Sequence, residues 1–356
     1  MRIGLLIYGS LDILTGGYFY DRQVVEAWRQ AGDEVVILSL PWRGYWRHLA
    51  DNLSARLVRR LRELPVDVLI QDELCYPSLV WLSGQLQDQL PYPQLSLIHL
   101  LKQTELHPAP QAAIYRSLEN HYLRQMDGFI YNSQDSRRLV EAIVPGAAGV
   151  VAYPGWDHLQ VAPERREAAG PVRIIAVGNL MRRKGQHLLL QALAELPELD
   201  WRLTLAGSGE FEPAYERELR ALAQAKGLAE RVEFLGRQPN EKIGALLAEH
   251  DLFVLPSSYE GFGIVYLEAQ LAGLPVIATT AGAAGEILVD GETGYLLPAD
   301  NVPALRACLA ELLADRSRLR QMAARATARA CEFPTWAQTA ATIRQFAGAA
   351  IEAFHD

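Results

Sequence analysis

The chain has 356 residues, half of them hydrophobic, with 34 Lys and Arg against 42 Asp and Glu. That length suffices for two cores of ordinary size, and a formal net charge of −8 argues against a general binder of nucleic acid, which carries a basic excess. Three scattered cysteines, Cys75, Cys308 and Cys331, lack Cys-x-x-Cys spacing and read as buried thiols in a reducing compartment, not as disulfides or metal ligands.

Short apolar runs alternate with longer amphipathic segments throughout, which predicts an α/β fold with mostly parallel sheets. In the first half, strands are expected at 2–8, 34–39, 66–71, 94–98, 127–131 and 148–152. Residues 3–8 are too short for the apolar region of a signal peptide. No apolar run approaches the roughly 18 residues of a membrane-spanning helix, so the expected location is the cytoplasm. The first strand runs into Leu14-Thr15-Gly16-Gly17, before an amphipathic segment over Tyr18–Gln30. Paired glycines at a helix start expose backbone N–H groups to an anion, and they also occur in plain turns.

Residues Trp42 to Arg62 carry six arginines against one acid, Asp51, with Trp42, Trp46, Leu49, Leu53, Leu57 and Leu61 at three- to four-residue spacing. This pattern fits a basic amphipathic helix that lies on an anionic membrane surface, or a helix packed on the sheet with a solvated arginine face. Asp72 and Glu73 follow the strand at 66–71, and His99 follows the strand at 94–98. All three are expected at the carboxyl ends of parallel strands, where α/β sheets bind ligands. The two acids are candidate acceptor contacts or surface caps.

The pattern restarts after Asp157–Pro171, a polar segment with Pro163, Glu164-Arg165-Arg166-Glu167 and Gly170 that reads as an interdomain linker. Strands are expected at 172–177, 201–206, 231–235, 251–255 and 275–278. Val177-Gly178-Asn179 precedes Arg182-Arg183-Lys184-Gly185, cations between a strand and a helix that could neutralise a diphosphate. Asp251 to Leu255 is followed by Pro256-Ser257-Ser258, by Glu260-Gly261-Phe262-Gly263, and by a helical stretch from Ile264 to Ala272. The glycines permit a tight turn and close approach to the unpaired N–H groups of the helix start, a site for a diphosphate or for sugar hydroxyls. Glu268 lies roughly 7 Å along that helix at about 1.5 Å per residue. Each carboxylate is a bidentate acceptor for a vicinal diol.

Glu260-x7-Glu268, with Gly261, Phe262, Gly263 and Val265-Tyr266-Leu267 between, resembles the signature of retaining glycosyltransferases of family four. Ala272-Gly273-Leu274-Pro275-Val276-Ile277 and Asp290-Gly291-Glu292-Thr293-Gly294 match the same family. The resemblance implies the GT-B fold, two Rossmann-like doubly wound parallel-sheet domains facing a cleft. These would be residues 1–160 on the acceptor side and 161–338 on the donor side, with 339–356 as a helix crossing back to the first domain. It also implies a hexosyl donor carried on a nucleoside diphosphate, most simply UDP or GDP, and an acceptor hydroxyl on a glycan, lipid or small molecule, as in cell-envelope glycan biosynthesis.

By the same resemblance Gly16 and Gly17 lie over the donor diphosphate and His99 lies beside the transferred sugar. Lys184 contacts the phosphates, Glu260 binds sugar hydroxyls, and Glu268 binds the ribose, with Gly261, Phe262, Gly263, Ile264 and Val265 forming the turn around the donor. Asn179 stands where many relatives have arginine, so either Arg182 or Arg183 substitutes for it or phosphate stabilisation rests more heavily on Lys184. Retaining glycosidases place two carboxyl groups across the bond, one as nucleophile. With both Glu assigned to binding, no convincing nucleophile is left, and the resemblance implies a same-face reaction through an oxocarbenium-like state in which the leaving diphosphate helps accept the acceptor's proton. The cations and helix ends would take the electrostatic role of a metal, so no metal or other cofactor is expected. A nucleotide-sugar epimerase or hydrolase and a non-catalytic nucleotide-sugar scaffold are the alternative readings. A dinucleotide enzyme is disfavoured because no Gly-x-Gly-x-x-Gly follows a strand.

Overall fold

The computed structural model describes residues 1–13, 15–105, 107–159 and 170–356. Most of the expected linker, including Pro163 and Glu164–Glu167, lies outside the described residues. The chain divides into two compact units, Met1–Gly155 with Pro334–Asp356, and Trp156–Phe333.

The first unit contains β1 (Arg2–Tyr8), β2 (Glu34–Leu40), β3 (Val68–Asp72), β4 (Gln94–Ile98), β5 (Gly128–Tyr131) and β6 (Gly149–Val151). They form one parallel sheet in the order β2-β1-β3-β4-β5-β6. β3, β4 and β5 are buried along their whole length, which is why they read as continuous apolar runs rather than alternating ones. The helix Gly16–Gln30 follows β1 and packs against the chain's last helix, Trp336–His355. Trp28 Nε1 donates to the Ala340 carbonyl at 3.0 Å, and Arg344 pairs with the buried Asp33 at 2.9 Å. Thr335 and Gln338 close a reciprocal capping box at the start of that last helix.

The second unit contains β7 (Val172–Val177), β8 (Trp201–Ala206), β9 (Val232–Gly236), β10 (Leu252–Val254), β11 (Val276–Thr279) and β12 (Gly294–Leu297). The order is β12-β11-β10-β7-β8-β9, again all parallel. Each sheet reverses direction of strand addition next to its first strand, the arrangement that opens a ligand crevice at the carboxyl ends. β12 was not expected from the sequence: four residues beside a Gly-rich turn carry too short an apolar signal.

The stretch 42–62 is not one amphipathic helix. It consists of a helical turn Tyr45–His48, a 3-10 turn Leu49–Leu53 and a helix Ala55–Arg62. Ser54 breaks it with extended backbone (ψ 102°), its side chain accepting from the N–H of Leu57. Leu57 and Leu61 are buried in the unit's core, whereas Trp42, Trp46 and Leu53 are exposed, so the expected stripe is split between core and solvent. Arg56, Arg59, Arg60 and Arg62 remain on the exposed face of the last helix. Cys75 and Cys308 are buried free thiols, but Cys331 is exposed, at odds with the expectation that all three are buried.

Candidate active site

In the first unit, the carboxyl ends of β1, β3 and β4 face the start of the helix Gly16–Gln30. Thr15 caps that helix, its side chain accepting from the Tyr18 N–H at 3.5 Å. The N–H groups of Gly16 and Gly17 lie in the first turn, ahead of any intrahelical acceptor. Gly17 is needed for space: a Cβ there would sit 3.2 Å from Cδ2 of His99, whereas one on Gly16 would meet nothing within 4 Å.

His99 is held from several sides. Its backbone N–H donates to Glu73 Oε2 at 2.7 Å, its carbonyl accepts from Asn132 Nδ2 at 2.9 Å, and its ring Nε2 lies 2.8 Å from Asp21 Oδ1. Tyr20 packs edge-on against the ring at 5.2 Å. Burial pulls the imidazole's pKa down, but Asp21, by charge and hydrogen bond, with Asp72 and Glu73 behind it, prevails and pushes it up to about 9. Asp72 is pushed up to about 7, by burial first and by Asp21 second. Burial and then Asp72 likewise raise Glu73.

Asp72 and Glu73 are both buried, and neither is displayed as an open acceptor contact. Glu73 places its two oxygens on the N–H groups of His99 and Leu100, at 2.7 and 3.4 Å, and Asp72 Oδ1 accepts from Leu74 N–H at 2.9 Å. Their geometry is that of residues shaping the loop that carries His99.

In the second unit the predicted residues converge. Glu260 Oε1 accepts from Lys184 Nζ at 2.5 Å and from Ser257 Oγ at 2.7 Å, with Arg183 Nη1 at 3.7 Å. Burial raises the Glu260 carboxyl, but Lys184 and Arg183 outweigh it and hold the group below its ordinary range. Burial lowers Lys184, the Glu260 charge opposing it. Arg182 points elsewhere: it pairs with Glu218 and lies over the Tyr215 ring at 5.2 Å. Of the two arginines beside Asn179, Arg183 is therefore the one at this carboxylate. Asn179 itself is half-buried, its carbonyl accepting from Gln186 Nε2 at 3.2 Å.

Gly263 begins the helix Ile264–Leu271 at φ 92°, where a Cβ would also collide with the Tyr266 ring at 2.4 Å. The N–H groups of Ile264 and Val265 lie in the first turn, ahead of any intrahelical acceptor, and no side chain caps them. Phe262 is buried edge-on against Phe333 at 5.8 Å, and Gly261 is buried beside it. Just over a turn into the helix, Glu268 Oε1 lies 2.7 Å from His158 Nε2. Three partners escaped sequence reasoning: Asp21 inside a helix, Ser257 in a strand-ending turn, and His158 within the expected linker. Among the described residues, Asp21, Asp72 and His99 are the one group with three potential metal ligands close together.

Comparisons with known proteins agree with this geometry. The family model "Glycosyl transferases group 1" matches residues 161–329. The D-inositol 3-phosphate glycosyltransferase of Nocardia farcinica is 32% identical over 305 residues, covering 78% of this chain and 67% of the relative. A GDP-mannose-dependent alpha-(1-6)-phosphatidylinositol monomannoside mannosyltransferase of Mycolicibacterium smegmatis is 35% identical over 204 residues, 52% of each chain. Among solved structures, sucrose-phosphate synthase from Thermosynechococcus elongatus superposes with a TM-score of 0.85 at 22% identity, covering 99% of both chains. HepE of Anabaena, solved with UDP-glucose, gives 0.78 at 23% identity over 98% of this chain and 99% of its own. Two parallel sheets with this strand order are the GT-B architecture of those structures. On the family model and the extent of the Nocardia match, the chain belongs to the group 1 glycosyl transferases, retaining enzymes that take a nucleoside diphosphate sugar as donor.

Proposed function

We propose that the second unit binds a UDP- or GDP-hexose and that the first unit presents the acceptor hydroxyl and His99 to the transferred sugar. One observation carries this: Glu260 has a single oxygen shared by Lys184, Ser257 and Arg183 at the foot of a helix whose first N–H groups, on Ile264 and Val265, have no intrahelical acceptor and no side-chain cap. A carboxylate so held is preorganised to accept sugar hydroxyls, and the cations beside it to meet the diphosphate. Glu268, oriented by His158, accepts the two hydroxyls of the ribose. The leaving diphosphate gathers charge against Lys184, Arg183 and the N–H groups of Ile264 and Val265. Departure and attack occur on one face of the sugar, and the diphosphate takes the acceptor's proton.

The choice of UDP or GDP is supported by relatives of both kinds, HepE solved with UDP-glucose and the mycobacterial GDP-mannose-dependent enzyme. The curated relatives' names point to polyol or lipid-linked acceptors, consistent with work on envelope glycans at the inner face of a membrane. Among the described residues no helix is long and apolar enough to cross one. Attraction to an anionic surface would rest on the exposed Arg56, Arg59, Arg60 and Arg62, since the apolar side of their helix is committed to the core. Replacing those four by Ser should reduce co-sedimentation with anionic vesicles, and unchanged co-sedimentation rejects the membrane reading.

The reaction needs no metal in this scheme: activity should survive EDTA, and complete loss restored by Mn²⁺ overturns that. The site itself is tested by turnover of Glu260→Gln and Lys184→Ala, each expected to fall at least about tenfold, roughly 1.4 kcal/mol. Wild-type rates in both remove the assignment.

A further inference from the structure

We propose that Asp21 is a positioning residue for transfer: its carboxylate grips Nε2 of His99 and keeps the imidazole an N–H donor at both nitrogens, so that Nδ1 donates to the transferred sugar. The inference rests on the reading that His99 faces that sugar, and adds what sets its orientation and charge.

Asp21 occupies the middle of a helix face otherwise lined by Tyr18, Tyr20, Val24, Val25 and Trp28, all buried with it. A carboxylate in such a setting is costly unless it has a partner. Its Oδ1 lies 2.8 Å from His99 Nε2, while Oδ2 is buried with no hydrogen-bond partner among the described residues. The imidazole is thus its one close counter-charge. Ring, backbone N–H and carbonyl of His99 are all fixed, by Asp21, Glu73 and Asn132, and Gly17 lies against the ring face. Of the two ring nitrogens, Nδ1 is the one with no partner among the described residues.

In the neutral ring with Nε2–H donating to Asp21, Nδ1 would be an acceptor. In the charged ring it is a donor. The titratable carboxyl groups facing the ring are Asp21 from the helix and Asp72 and Glu73 from the end of β3. They favour the imidazolium up to a pH of about 9. A sugar hydroxyl at Nδ1 would then be held by a charge-assisted hydrogen bond. The same three side chains, Asp21, Asp72 and His99, lie close enough to hold a cation. The ring nitrogen nearest the carboxylates is already engaged with Asp21, which favours the ion pair.

The test combines histidine NMR with kinetics. In the full-length protein, His99, assigned with a His99→Gln variant, should remain an imidazolium past pH 8. In Asp21→Asn it should lose its proton near or below the ordinary value of about 6.5. At pH 8, Asp21→Asn should lower kcat/KM for transfer at least about tenfold, partly recovering below pH 6, with nucleoside diphosphate affinity unchanged. Asp21→Asn/His99→Gln should be no slower than His99→Gln alone. A wild-type His99 that titrates at or below the ordinary value overturns the inference without any variant. So does Asp21→Asn activity at the wild-type level when His99→Gln is inactive. Wild-type activity in His99→Gln removes the underlying reading of His99 instead. Stabilisation of the wild type, but not Asp21→Asn, by Mg²⁺ or Mn²⁺ alone would replace the ion pair with a metal site.

Discussion

Lys184→Met tests the Lys184–Glu260 pair most sharply, because it removes the charge while keeping most of the side chain's length. Both side chains are largely withdrawn from water, 12% and 8% exposed. Removing one partner of a buried pair costs about 3–5 kcal/mol, since the other charge is left without compensation. Ser257 and Arg183 still reach Glu260 Oε1, so the lower end, about 3 kcal/mol, is expected. For a unit of this size that is a fall in Tm of roughly 6–12 °C. Lys184→Met/Glu260→Gln, with no buried charge unpaired, should recover most of the stability, a coupling of about 2 kcal/mol or more. Activity should not recover.

The pH dependence follows. Because Glu260 is held below its ordinary range, the pair's contribution is present above that range and is lost as the pH falls through the depressed value. In Lys184→Met the Glu260 carboxyl loses its main neutralising charge and should take up its proton at a higher pH than in wild type. The assay is equilibrium denaturation by tryptophan fluorescence and far-UV circular dichroism across pH 3–8. A single-variant loss under about 0.5 kcal/mol, the size of an exposed ion pair, or an absence of coupling would refute the reasoning.

Three further outcomes are expected. Gly282→Ala should cost more than about 2 kcal/mol in thermal unfolding and disable transfer, because its Cβ would lie 2.0 Å from the Glu260 carbonyl at φ +85°. Gly17→Ala should cost about 1 kcal/mol as the His99 ring is displaced, while Gly16→Ala, which meets nothing within 4 Å, should be neutral or slightly stabilising in the same assay. Glu119, buried and pushed up to about 7, should make stability fall as the pH rises from about 4 towards 7, because the folded state retains a proton that the unfolded chain releases. Glu119→Gln should flatten that slope in denaturation curves.

Much of the fold was legible because fully buried parallel strands write continuous apolar runs, as in Val68–Ile70 and Leu252–Val254. The turn before the helix Ile264–Leu271 was legible because a glycine-bounded helix start must be encoded locally, at Gly261 and Gly263. Periodicity misled at 42–62, where Ser54 supplies a cap that spacing alone does not register and the apolar positions divide between core and solvent. The partners of the site residues were not legible for a different reason. Asp21 meets His99 across 78 residues, and His158 meets Glu268 across 110. Such pairs are set by which strand ends the sheet order brings together, and a side chain inside a helix or a polar segment gives no local sign of it.

The central claim is that Glu268 and the Lys184–Glu260 pair receive the nucleotide sugar. Calorimetric titration of the wild type and Glu268→Ala with UDP and GDP tests it most directly. One nucleotide should bind the wild type, and Glu268→Ala should weaken it at least about tenfold, or 1.4 kcal/mol, through loss of the ribose contact. Equal binding by both proteins, or no binding of either nucleotide to the wild type, would contradict the account.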